Sequence, residues 1–409
     1  MQLPISRAEA EAMDAADPLA HLRAEFILAD DLLYLDGNSL GPLTKRAKAR
    51  VEAAVAAEWG EGLIRSWNTA GWIDLPRRIA GKIAPLIGAA ADDLAVCDST
   101  SVNLFKVLSA ALQRDDGRRV ILSDRRNFPT DLYVADGIAD QFGATLRLSD
   151  DPPADLSSDV AVLMLTEVDY RSGHKYDMAA VTAAAHAVGA TVIWDLAHSA
   201  GAFPVDLMGA DADYAVGCGY KYLNGGPGAP AFLWVHPRNQ NKVPALRGWF
   251  GHARPFAFDA GFAPAAGTAR YYVGTAPVLS MTALDAALDV MDGVDLATVA
   301  RKSAELAAIM IGQVEAGTDD LTLISPRDPA VRGSQISFRH ERGEGYALCQ
   351  AAIAQGLIGD YREPDVVRFG FAPLYVRHVD AFDAGVLLAG IARERTYDRP
   401  EFYARAAVT

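Results

Sequence analysis

Cysteine is scarce in this sequence: Cys97, Cys218 and Cys349 are the only three in 409 residues. An odd number at long intervals supplies neither a disulfide framework nor the short paired spacing of a zinc site, so no metal is expected. Basic residues are in deficit too, 38 lysines and arginines against 52 aspartates and glutamates, for a formal net charge of −14. Nucleic acid and anionic membrane surfaces both call for a basic face, so neither is an expected partner. Any anionic ligand must instead meet a local positive pocket. The start also lacks the basic residues and apolar run of a secretory signal, because Pro4 leads into an acidic, helix-like stretch. Export and membrane insertion are therefore not expected, and a reducing cytoplasm is. What remains is ordinary for a globular protein, 51% hydrophobic and 22% charged residues, too polar for membrane spans and too apolar for disorder. At this length two domains are expected, and there are no internal repeats or low-complexity tracts.

Short β-rich apolar runs predict strands near 94–98, 119–123, 144–148, 160–165, 191–194, 213–217 and 230–235. Between two of them, Asp177 to Gly189 has helix grammar, with Asp177 as N-cap, Val181, Ala184, Ala185 and Val188 at helical spacing and Gly189 as the stop. Such alternation implies an α/β fold with a seven-stranded, mostly parallel sheet, whose ligands collect outside the carboxyl ends of the strands. Beyond about residue 285 a long Ala/Leu-rich helix, a strand at 334–339, a helix over 345–355, a strand near 365–371 and a last helix predict a smaller α+β domain. The first 30 or so residues read as helical and lie far upstream of the sheet, which assigns them to that smaller domain. The expected boundaries are 50–285 for the large domain, and 1–49 with 286–409 for the small one.

Residues just past strand ends carry the chemistry. Asp195 closes the apolar run Val192-Ile193-Trp194 and is followed by His198, either a helix-capping pair or a buried carboxylate awaiting a cation. After the next strand comes Cys218-Gly219-Tyr220-Lys221-Tyr222, in glycine-rich surroundings that suggest a constricted turn around what could otherwise be an exposed loop lysine. Together, Lys221 and Asp195 have the logic of a pyridoxal 5'-phosphate (PLP) site, in which a lysine holds the cofactor as a Schiff base and an acid pairs with the ring nitrogen. Ser99-Thr100-Ser101 open an amphipathic helix, as an N-cap or as a phosphate-binding helix terminus. Phe128, in Asn127-Phe128-Pro129-Thr130-Asp131, offers an aromatic face that either stacks on a flat ring or merely packs. Arg368, embedded in Val366-Val367-Arg368-Phe369, needs an anion: an internal carboxylate such as Glu363 or Asp365, or the carboxylate of an amino-acid substrate.

Seven segments in order along the chain resemble the kynureninase family, a branch of the fold-type I PLP enzymes related to aspartate aminotransferase. They are Tyr34 to Gly41 (Tyr-Leu-Asp-Gly-Asn-Ser-Leu-Gly), Glu58 to Asn68, Phe128 to Asp131, Trp194 to Gly201, Tyr220 to Gly228, Trp249 to His252 and Ile358 to Pro364. The resemblance implies an aspartate-aminotransferase-like fold and hydrolysis of L-kynurenine to anthranilate and L-alanine. It implies Lys221 as the Schiff-base lysine, Asp195 at the ring nitrogen, Phe128 against the ring, and Thr130, Asp131 and His198 lining the cofactor. Thr100, Ser101, Tyr220, Trp249 and Thr275 match positions at the phosphate end, with Trp249 and Thr275 supplied by the other subunit of a homodimer. Arg368 matches the clamp on the substrate α-carboxylate, and Asn38, Trp67 and Gly274 match positions around the substrate. Lys221 would serve as general base and Tyr220 as proton relay when water adds to the γ-carbonyl. Family members favouring 3-hydroxykynurenine have His and Asn where this chain has Trp67 and Thr275, so L-kynurenine is the expected preference. The alternatives are another reaction on the same fold, a cysteine desulfurase or an aminotransferase, or a catalytically silent PLP-fold sensor. A desulfurase would need a nucleophilic cysteine on a mobile loop, and a sensor would be expected to have lost Lys221.

Overall fold

Strands buried on both faces need continuous apolar side chains rather than alternating ones, and such runs, with the more polar and more exposed Thr145–Ser149 at one edge, form a seven-stranded sheet in the computed structural model, which describes residues 4–405. The strands are β1 (Leu94–Val96), β2 (Val120–Asp124), β3 (Thr145–Ser149), β4 (Val160–Thr166), β5 (Thr191–Asp195), β6 (Tyr214–Gly217) and β7 (Phe232–Val235). Their order across the sheet is β1-β7-β6-β5-β4-β2-β3. Neighbours from β6 through β3 are parallel, and β7 runs antiparallel to both β6 and β1. Every residue of β4 is buried. Truncating one of its large side chains, Leu163→Ala for instance, should cost about 2–5 kcal/mol in lost burial and cavity.

The crossover helices begin and end where local chemistry dictates. In α1 (Thr100–Ala111) the N-cap is Ser99, whose hydroxyl accepts from the Val102 amide at 3.4 Å. Proline at the first position opens α2 (Pro129–Phe142), and Gly143 at φ +61° closes it. Asp177 caps α3 (Met178–Ala187), accepting from the Ala180 amide at 3.0 Å.

Two compact units divide the chain. One comprises Arg46–Asp169 and Tyr176–Asp292; the other takes the residues up to Lys45, the excursion Tyr170–Lys175 and everything from Gly293 onward. Nothing in the sequence foreshadowed the excursion. Residues 1–3 and 406–409, part of the expected small domain, lie outside the described residues.

The smaller unit has a four-stranded antiparallel sheet of β8 (Leu321–Leu323), β9 (Gln335–His340), β10 (Asp360–Arg362) and β11 (Val366–Gly370), in the order β10-β11-β9-β8. Three helices accompany it, α4 (Leu296–Gly317), α5 (Gly345–Ala354) and α6 (His378–Glu394), with α4 packed on α6. The helix Arg7–Ala15 docks on α6, where Arg7 meets Asp383 at 3.0 Å and the Asp14 carboxylate accepts from the His378 amide at 2.6 Å. Sequence periodicity did not predict β8, β10 or the two-residue parallel pairing of Leu33–Tyr34 with Leu357–Ile358. All are too short or too polar to register as apolar runs.

Candidate active site

The parallel strands deliver two of the expected residues to one place. Asp195 ends β5 and Lys221 follows the end of β6, its parallel neighbour. Lys221 Nζ lies 3.1 Å from Nε2 of the buried His198 and 5.9 Å from the Tyr220 ring centroid. Asp195 is buried, and its Oδ1 accepts from the Ala197 amide at 2.7 Å. Burial pushes its carboxyl up, while the Lys221 charge, the Ala197 amide and a hydrogen bond with Asp131 pull it back. Asp131, buried in the first turn of α2, is pushed well above the ordinary carboxylate range, by burial first and by Asp195 second. Two buried neighbouring acids do not both ionise readily, and since Asp131 is the one raised further, the proton is assigned to it and the ionised form to Asp195.

The loop carrying Asp131 is fixed from below. Asn127 accepts from the Phe128 amide at 2.7 Å and from the Thr166 hydroxyl, and donates to Ser123 Oγ at 3.2 Å. This presents the Phe128 ring, 45% exposed, at the start of α2, with Thr130 partly buried beside it. Thr166 also lies beside Asp131 and draws its raised carboxyl partly back down. Sequence reasoning missed Thr166, although it stands at the carboxyl end of β4 as Asp195 does at the end of β5.

A second cluster lies at the N-terminus of α1. The chain turns sharply at Asp98, φ +48°, into Ser99, Thr100 and Ser101. Since Ser99 does the capping, Thr100 and Ser101 are left to line a cavity of about 450 Å³ shared with Tyr220, Gly228 and Pro277. Unused amides and the helix dipole make such a terminus an anion site. The fully buried Lys106 braces the turn, pairing with Asp98 and donating to the Tyr271 carbonyl at 2.7 Å.

Other expected residues stand apart. Trp67 is half-buried, edge-on to Trp72 at 5.9 Å, and Trp72 Nε1 is held by Glu58 at 2.7 Å. Trp249 is 37% exposed in a surface group with Phe250, Phe256 and Phe258, and Gly274 and Thr275 are exposed as well. None of these lines the cavity beside Thr100.

In the smaller unit Arg368 is buried and ion-paired, but with Asp360 rather than with Glu363 or Asp365. Register decides this: Asp360 on β10 lies directly across from Arg368 on β11, whereas 363 and 365 fall in the connecting turn. Glu363 pairs with Arg405 instead. Asn38 is fully buried, and neither atom of its side-chain amide has a hydrogen-bond partner. It fits because Gly370 has no Cβ, which would otherwise overlap Asn38 Oδ1.

All three cysteines are free and buried. Burial pushes the Cys97 thiol up to about 12 and raises those of Cys218 and Cys349 as well. None is an exposed, activated thiolate. Among the described residues no group of acidic, histidine or cysteine side chains could hold a metal ion, and no helix is long and apolar enough to cross a membrane.

The kynureninase C-terminal domain family model matches residues 299–388. Kynureninases of Pseudomonas fluorescens and Burkholderia mallei are each 51% identical to the chain, covering 99% of it and all of the relative. Among solved structures, a mutant of the C-DES enzyme with glycine linked to its PLP cofactor superposes with a TM-score of 0.78 at 18% identity, covering 90% of this chain and 98% of that one. The cysteine desulfurase CsdA of Escherichia coli gives 0.74 at 21% identity, with 92% and 98% covered. At such identities the structures speak to the fold alone.

Proposed function

The chain belongs to the kynureninase family, and from that premise we propose that it hydrolyses L-kynurenine to anthranilate and L-alanine, with PLP held on Lys221. The carrying observation is the placement of Lys221, His198 and Asp195 at the ends of adjacent parallel strands. When bound, PLP supplies an electron sink that no side chain offers.

The residues fit that group. Thr100, Ser101, the α1 N-terminus and Tyr220 suit the phosphate, ionised Asp195 suits a protonated ring nitrogen, and Phe128 offers a ring to lie against. Thr130, Asp131 and His198 complete the lining. In the reaction the bond between the β-carbon and the γ-carbonyl carbon breaks, the oxygen of water joins the carboxyl group of anthranilate, and a proton goes to the β-carbon of alanine. Lys221 Nζ moves protons, with His198 Nε2 in hydrogen-bond reach. Burial pushes the Tyr220 hydroxyl up, so it stays a phenol able to donate a proton. Arg368 and Asn38 are assigned the amino-acid end of the substrate, and Trp67 and Gly274 its aromatic end.

A homodimer belongs to the same reading. Trp249, Phe256 and Phe258 expose 37, 64 and 74% of their surfaces, an apolar group suited to a second copy of the chain. Trp249 and Thr275 would then serve the partner's cofactor. A cytosolic setting is supported by the three free, buried thiols. A desulfurase is disfavoured because those thiols are buried and unactivated. Borohydride reduction of the yellow holoenzyme tests the assignment: the cofactor should become fixed to the Lys221 peptide, and fixation elsewhere would refute it.

A further inference from the structure

The guanidinium of Arg368 is almost fully committed. Its Nε donates to Asp360 Oδ1 at 2.8 Å and its Nη2 to Asp360 Oδ2, so one whole edge is taken. Nη2 also donates to Ser39 Oγ at 3.0 Å, and Nη1 to the Tyr170 carbonyl at 2.5 Å. Of five N–H groups, only one on Nη1 is left for a ligand. The Ser39 hydroxyl in turn donates to Asp360 Oδ2 at 2.6 Å. A carboxylate approaching Arg368 can therefore use only the end-on Nη1/Nη2 edge, and gains a second bond there when Ser39 gives way.

Charge poses a further constraint. Arg362 donates to the same Asp360 at 2.7 Å, and Asp36 stands beside this pair, bridged through its backbone to Gly370 on β11 and with a shielded Oδ1 that has no hydrogen-bond partner. With Asp36 and Asp360 both ionised, the two arginines are neutralised and a third carboxylate has no charge to meet. With a proton on Asp36, the cluster carries one net positive charge.

We propose that Asp360 is a positioning residue that fixes which edge of Arg368 faces the substrate, and that Asp36 is the proton-holding carboxyl that leaves the cluster a positive charge for the α-carboxylate. This rests on the reading of Arg368 as the carboxylate clamp. Asp36 is faced by Tyr34 on its own segment, Asp360 and Arg362 on β10, Arg368 on β11 and Cys349 on α5. Burial first, and then the charge of Asp360, raise its carboxyl to about 7. The proton is thus present below that pH and lost above it, and carboxylate affinity falls as pH rises through the same window.

The test is the KM for L-kynurenine of the holoenzyme between pH 6 and 8.5, read separately from kcat. In the wild type KM should rise above about pH 7, with a slope approaching tenfold per unit, and in Asp36→Asn it should be flat. Asp360→Asn should raise KM by about tenfold or more while kcat moves much less, and Asp360→Glu should restore part of the loss. If Asp36→Asn keeps the wild-type pH dependence of KM, the proton-holding role is wrong, and an unchanged KM in Asp360→Asn removes the positioning role. Should Asp360→Asn fail to fold, the Asp36→Asn profile still decides. Arg368→Lys separates the two levels: no effect on KM there sinks the clamp reading itself, whereas a large effect with silent Asp36 and Asp360 variants sinks only this proposal.

Discussion

Lys221 Nζ stands 3.1 Å from His198 Nε2, two residues held on the loops that leave adjacent parallel strands β6 and β5. A lysine so placed is the one nitrogen here that can both hold the cofactor and move protons. Lys221→Ala should lower kcat/KM by on the order of 10²–10⁴-fold or more. Its far-ultraviolet circular dichroism should be unchanged. Near-normal turnover in that variant would remove Lys221 from the chemistry.

The pairing of Asp131 with Asp195 yields a contrast between two substitutions. Because the proton is assigned to Asp131, that side chain acts as a neutral donor, and an amide can donate in its place. Asp131→Asn should retain far more activity than Asp131→Ala, which leaves Asp195 without its donor at a cost of about 1–3 kcal/mol. Equal losses in kcat/KM for the two variants would contradict this proton placement.

Arg368→Ala should weaken substrate use much more than PLP retention, since its guanidinium is assigned to the substrate and not to the phosphate. Removing one partner of a buried charge pair costs about 2–5 kcal/mol, here expected in kcat/KM. Part of any loss will come from Asp360, left with only Arg362 and Ser39 as partners, so melting temperature and PLP content should be measured alongside the kinetics. Unchanged kcat/KM would leave Arg368 as an internal ion-pair member only.

L-Kynurenine should be used better than 3-hydroxykynurenine. Trp67 packs edge-on to Trp72, and its indole offers one donor and no acceptor to a ring hydroxyl. Leaving a buried hydroxyl unsatisfied costs about 1–3 kcal/mol, about tenfold or more in specificity. A kcat/KM ratio of one or below would show that Trp67 does not read that ring position.

Much of this was legible in sequence because buried parallel strands are written as unbroken apolar runs, and because Asp195 and Lys221 follow two of those runs directly. All seven runs became strands of one sheet. What stayed hidden depends on register and on long-range contact. Asp360 becomes the partner of Arg368 only through the β10–β11 pairing, and Asp-Tyr-Arg carries no strand signature to announce it. The Tyr170 carbonyl reaches Arg368 from far along the chain, as part of an excursion that no local pattern marks. Thr166 was readable by the same strand-end logic as Asp195, but a hydroxyl there looks like any strand terminus until Asn127 and Asp131 are seen around it.

The most direct measurement is incubation of the purified, PLP-loaded enzyme with L-kynurenine, following anthranilate by its fluorescence and L-alanine by amino-acid analysis. The account predicts both products in equal amounts, formed catalytically and lost in Lys221→Ala. Absence of anthranilate from a fully PLP-loaded enzyme, or alanine formed without it, would contradict the account.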